Sequence, residues 1–103
     1  MYRGTTPVHT YTVPYKASSI QRVFITYSQN GEPVVEKTID DVVITPIDDT
    51  SCNVVAHLRQ GDTLKFSVGE ANVQLRILDT NGEAYASAEM RMRIDDILKD
   101  GVI

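Results

Sequence analysis

The chain has 103 residues, 42% of them apolar and 23% charged, with a net charge of −4 at neutral pH. That is the composition of a folded domain rather than a disordered chain, and the length suits one domain, 1–103, burying about two-thirds of its unfolded surface. The ten basic residues are scattered, which argues against a nucleic-acid surface; the single cysteine, Cys52, rules out an intramolecular disulfide; and no apolar run approaches the ~20 residues of a membrane span.

In chain order, residues 1–7 form a polar lead-in that is expected to lie extended along an edge, with no signal-peptide plan, so synthesis is placed in the cytoplasm. Val8 to Val13 alternates weakly and carries Thr10, Tyr11 and Thr12, all favourable in strands, before Pro14 ends the run. After the short linker Ala17-Ser18-Ser19, Ile20 to Ser28 has large apolar groups on both parities, which predicts a central strand covered on more than one side. Asn30-Gly31 is a hairpin signal, and Val34 to Thr38 returns as its partner, with Pro33 tolerable at a strand start or edge.

Val42 to Thr45 is a short β-branched run closed by Pro46, and Ile47 to Thr50 is a loop. In Ser51 to Leu58, the residues Cys52, Val54, Ala56 and Leu58 share one face. Arg59 to Thr63 breaks the pattern as a turn or one helical turn, after which Leu64, Phe66 and Val68 begin a strand or plug one end of the core.

The most regular stretch runs from Asn72 to Ile94. Val73, Leu75 and Ile77 alternate with polar residues in its first arm, and Ala84, Ala86, Ala88, Met90, Met92 and Ile94 share one parity in its second. Asn81-Gly82 between them marks a tight turn. Since a one-residue slip would carry all six apolar residues into water, the register is expected to be fixed, with those six residues buried. The alanines then need bulky neighbours from elsewhere, for which Phe24, Tyr27 and Phe66 are the candidates. The tail from Asp95 to Ile103 is too short for a stable free helix. Its Ile97, Leu98, Val102 and Ile103 are too apolar for a solvated end, so they either fold back onto the domain or meet a partner.

Some seven short strands separated by turn residues predict an all-β fold, an immunoglobulin-like antiparallel β-sandwich with a short C-terminal tail or helical turn. It lacks the paired cysteines and tryptophan of antibody domains. Little in it suggests catalysis or a cofactor. A His–Cys pair could be drawn from His9 or His57 with Cys52, but Cys52 falls on the apolar parity of its strand, where a free cysteine acts as a small hydrophobe. Asp40/Asp41, Asp48/Asp49 and Asp95/Asp96 could hold a hard cation only if loops brought them together; adjacent carboxylates more often mark solvated loop ends. Tyr2, Tyr11 and Tyr15 could form a sticky edge, or cap the ends of a sandwich.

The order of features resembles small structural proteins of phages and prophages of Gram-positive bacteria. The residues that carry the likeness are Tyr2 to Pro7, Val23 to Gly31, Leu58 to Phe66, Val73 to Arg76 and the ending Ile97 to Ile103. The plan is also similar to the N-terminal domain of phage baseplate upper proteins, although the expectation is a domain without their receptor-binding or fibre module. The resemblance implies a non-catalytic, tail- or baseplate-associated protein, made in the host cytoplasm, that is either a structural component of the virion or a helper in its assembly. Its partners would be other phage structural proteins, with a homo-oligomer as a further option, and neither nucleic acid nor membrane. The possible interface is Ile97, Leu98, Val102 and Ile103. The alternative is a ligand-binding β-sandwich module for carbohydrate or calcium.

Overall fold

The computed structural model describes residues 1–103 and contains eight strands. They are β1 (Val8–Val13), β2 (Ile20–Gln29), β3 (Glu32–Thr38), β4 (Val42–Pro46), β5 (Cys52–His57), β6 (Gly69–Asp79), β7 (Ala84–Ala86) and β8 (Met90–Ile94). One helical turn, α1 (Gln60–Thr63), follows β5, and two short 3-10 turns cover Ala17–Ser19 and Ile39–Asp41.

The strands form two antiparallel sheets, β1-β5-β4 and β3-β2-β6, with β7 and β8 both lying on the far side of β6. Matched to the immunoglobulin arrangement, these are strands B-E-D facing C′-C-F-G, so the predicted immunoglobulin-like sandwich is the fold observed. Period-two alternation builds the interior. Cys52, Val54 and Ala56 of β5 face Val23, Ile25 and Tyr27 of β2 and Ala71, Val73, Leu75 and Ile77 of β6 in one apolar cluster. Phe66 and Leu58 close it from the connecting segments, both at 2% exposure. Leu64 to Val68 makes no strand; Phe66 plugs the core and Val68 stays exposed.

At Asn30-Gly31 the two-residue loop joins Gln29 to Glu32, and both central residues have positive φ, 53° and 78°. This is the conformation of a turn whose twist matches that of the strands it joins. The second Asn-Gly is built differently. The amide of Gly82 donates to the carbonyl of Asp79, and the Asp79 carboxylate accepts from the amides of Asn81 and Glu83, so only Gly82 needs a positive φ.

Two sequence expectations fail, each for a local reason. β2 is central in its sheet, but only its odd positions from Val23 to Gln29 are buried; Phe24 points to the outer face beside Arg22. The second arm of the long hairpin also changes register midway. Between the pairs Arg76↔Ala86 and Val73↔Met90, the residues Leu75 and Gln74 are opposed by Ser87, Ala88 and Glu89. The extra residue is a β-bulge, held where Ser87 accepts the Leu75 amide on Oγ and donates its own amide to the Leu75 carbonyl. Tyr85 therefore turns inward, Ala84, Ala86 and Ala88 are exposed, and Met90, Met92 and Ile94 return to the core side. Phe24 has no alanine layer to fill from inside.

This geometry predicts an unusual deletion response. Removing Ala88 would let the two registers merge with the same side chains still facing inward, and should change stability by no more than roughly 1 kcal/mol. Removing Arg91 instead either turns the fully buried Ile94 outward or, where the bulge absorbs the loss, sets Glu89 in the inward place of Met90; both should lower the melting temperature by many degrees. Thermal melts of the two deletion variants check this.

Candidate functional site

At the end of the sandwich where β8 finishes, the lead-in and the tail meet. Tyr2 bridges Asp95 in parallel, the Arg3 amide donates to the Asp95 carbonyl at 2.9 Å, and the Asp95 amide donates to the Met1 carbonyl at 2.8 Å. The lead-in does run along an edge, and it carries Arg3 into the centre of this region. The Arg3 guanidinium donates to the carbonyls of Phe66 (2.7 Å) and Leu64 (3.1 Å), to Asp96 Oδ1 at 2.9 Å, and lies 3.5 Å from Asp100 Oδ1. One planar fork thus ties the core plug to the tail. The Asp96 carboxylate accepts from the Ile97 amide and from Arg3, which together hold its pKa below the usual range.

Gly4 completes the joint. Its φ is +72°, and a β-carbon there would come within 2.9 Å of the Ile97 side chain, so this turn needs glycine for conformation and for room. The far end of the tail is held by α1: Gln60 accepts the Ile103 amide at 2.8 Å and donates to the Ile103 carbonyl at 3.3 Å. Thr63 of the same turn is fully buried and donates its hydroxyl to the Thr5 carbonyl.

The result is a tail fastened through polar groups with its apolar groups turned outward. Of the four expected interface residues, Ile97 is half-buried against Gly4, whereas Leu98, Val102 and Ile103 are 108%, 69% and 88% exposed. The backbone folds back onto the domain without forming a helical turn, and three apolar side chains stand in water. Arg3 and Gln60 carry no mark in the sequence, because nothing in a lone arginine or glutamine reveals which distant groups it will meet.

A second polar assembly lies deeper. Lys37, on the inward parity of β3, donates to Asp62 Oδ2 at 2.7 Å, and Asp62 also accepts the Arg59 amide at the start of α1. Between the sheets, the Tyr27 hydroxyl is hydrogen-bonded to His9 Nδ1 (2.7 Å) and to the Tyr11 hydroxyl (2.9 Å). Burial pushes both phenol pKa values up and the His9 imidazole down, which leaves all three groups neutral near pH 7.

The other sequence candidates are not brought together. Cys52 faces the core opposite Val13, and burial raises its thiol pKa. His9 pairs with Ala56, four positions along the ladder and so about 13 Å away, while His57 points outward. The aspartate pairs serve their own turns: Asp41 accepts from the Thr38 amide, and Asp48 from Thr50 and Ser51. No three His, Cys, Asp or Glu side chains converge as metal ligands. Tyr2, Tyr11 and Tyr15 do not share an edge, since Tyr11 turns inward to Tyr27, Tyr15 packs edge-on against Tyr85, and Tyr2 is exposed beside Asp95. Compared with protein-family models, curated proteins and solved structures, the chain matches none.

Proposed function

We propose that this chain is a non-catalytic phage or prophage structural or assembly protein, associated with the tail or baseplate and acting through protein–protein contacts. The observation that carries the contact reading is the tail. Leu98, Val102 and Ile103 are held in the open by Arg3 and Gln60, which is the arrangement of an apolar patch presented to a partner. The phage assignment rests on the likeness of the lead-in, the Val23 to Gly31 strand and turn, and the Leu58 to Phe66 segment to such proteins. In this reading the chain is made in the host cytoplasm and joins the particle through its tail.

The test is to induce a host's prophage, purify particles on a density gradient and look for the chain by mass spectrometry. Fixed stoichiometry with tail or baseplate proteins supports the proposal; recovery only in the unassembled fraction counts against it. A truncation after Asp96 isolates the interface. It removes one half-buried side chain, Ile97, and otherwise exposed ones, so the melting temperature should fall by only a few degrees while incorporation into particles is lost. A truncated chain that unfolds would instead make the tail part of the core.

A further inference from the structure

The four free sheet edges are not alike. β3 opens with Glu32-Pro33 and sits beside a register shift at Tyr27/Ser28. β4 is five residues long and ends on Pro46. The β7/β8 edge is interrupted by the bulge and carries Arg91 and Arg93. Prolines, charges, bulges and short strands are the devices that keep edges from pairing. β1 has none of them within its length: Val8-His9-Thr10-Tyr11-Thr12-Val13 carries no Lys, Arg, Asp or Glu and no proline, and pairs with β5 without a register shift.

Its hydrogen bonds divide cleanly. The Leu58 amide donates to the Pro7 carbonyl, which continues the β5 ladder and fixes its phase. In an antiparallel pair such bonds recur at every second residue, so His9, Tyr11 and Val13 spend their amides and carbonyls on β5. Those of Val8, Thr10 and Thr12 point away from it, and no other group in the molecule bonds to them. The same three side chains are exposed on the outer face, where the neighbouring positions Val43, Thr45, Asn53 and Val55 are also uncharged.

We propose that β1 pairs antiparallel with β1 of a second copy of this chain, about a two-fold axis through Thr10. Antiparallel partners on the same face must share parity, and centring on Thr10 sets Thr10 against Thr10 and Val8 against Thr12. Every free amide and carbonyl of those residues is then used, giving about six intermolecular hydrogen bonds in one continuous sheet. Pro7 lies three residues before Thr10 and Pro14 four after it, so a proline bounds the paired stretch at each end. A second copy fits better than an unrelated extended segment because the edge is complementary to its own sequence: threonine meets threonine across the axis, and the paired strands bring no formal charges together. This surface is separate from the tail, and the inference goes beyond the assembly reading without depending on it.

The test is sedimentation equilibrium of the full chain over a wide concentration range. The expected result is a reversible dimer of the 11.5 kDa chain. Thr10→Pro removes an amide that β5 does not use, so the fold should survive by circular dichroism while the dimer weakens by about thirtyfold or more. Thr10→Cys should form a disulfide-linked dimer under mild oxidation, because facing residues in a hydrogen-bonded pair lie about 5.5 Å apart, and Val43→Cys should not. A chain monomeric at every concentration, or a dimer indifferent to Thr10→Pro and uncrosslinked by Thr10→Cys, overturns the proposal. Binding of a different protein along β1 to a monomeric chain would also overturn it.

Discussion

Tyr27→Ala should cost about 3–5 kcal/mol, the range for removing a large buried ring, and so a large share of the ~5–15 kcal/mol that holds an ordinary domain together. Tyr27 is the largest fully buried side chain and reaches across the interior, its ring 6.2 Å from that of Phe66 in an edge-on contact. Losing it opens a cavity bounded by both sheets that Val35 and Ile25 are too constrained to fill. Tyr27→Phe separates ring from hydroxyl. It leaves His9 Nδ1 and the Tyr11 hydroxyl without their shared partner, but both residues are only half-buried, so water can replace it and the loss should be about 1 kcal/mol. Urea denaturation of the two variants distinguishes the cases. Similar losses from both would mean that the hydroxyl network, rather than the packed ring, holds the layers together.

The elements that could be read from sequence are those whose pattern is local. The β5 face of Cys52, Val54, Ala56 and Leu58 is buried as its alternation requires, and Asn30-Gly31 adopts the turn its residues favour. The second hairpin arm misled because alanine is small enough for either face. Ala84, Ala86 and Ala88 continue the parity of Met90 and Met92 on paper, so the bulge leaves no trace in the hydrophobic pattern. Tyr85, on the opposite parity, was the one residue with enough apolar surface to decide the matter, and its packing against Tyr15 is a contact made 70 residues apart in the chain. Phe24 failed for a related reason: a strand with large residues on both parities reads as covered on both sides, yet the outer face here has no second layer. The tail's apolar excess was visible, but whether it lay in the core or in solvent depended on Arg3 and Gln60, whose partners are set by topology alone.

Lys37 and Asp62 show where topology decides energetics and pH response together. Lys37 lies on the buried parity of β3 opposite Ile25, and its ammonium is retained there because α1 delivers Asp62 from 25 residues away. The two side chains are 11% and 18% exposed, so each depends on the other for the solvation it has lost. Asp62→Ala should therefore cost about 3 kcal/mol, combining an ammonium without its partner and the loss of the Arg59 amide bond that starts α1. The double replacement Lys37→Met/Asp62→Leu should recover most of that loss, because two apolar side chains can occupy the site without uncompensated charge. For Asp62, burial pushes the carboxyl pKa up, and the Lys37 ammonium and the Arg59 amide outweigh it, so the net shift is downward. A carboxylate with a depressed folded-state pKa adds stability that is complete above the unfolded value of about 4 and is lost as pH falls through the folded value. His9 acts in a higher window: burial lowers its pKa, so the unfolded chain takes up the proton first and stability starts to fall below about pH 6.5. Denaturant midpoints across both windows should show the wild type weakening in two stages on acidification, with the Lys37→Met/Asp62→Leu variant keeping the His9 stage and losing part of the one below about pH 4. An unchanged acid stage in that variant would mean that Asp41, Asp48 and Asp96, which are also shifted downward, carry the acid response without Asp62.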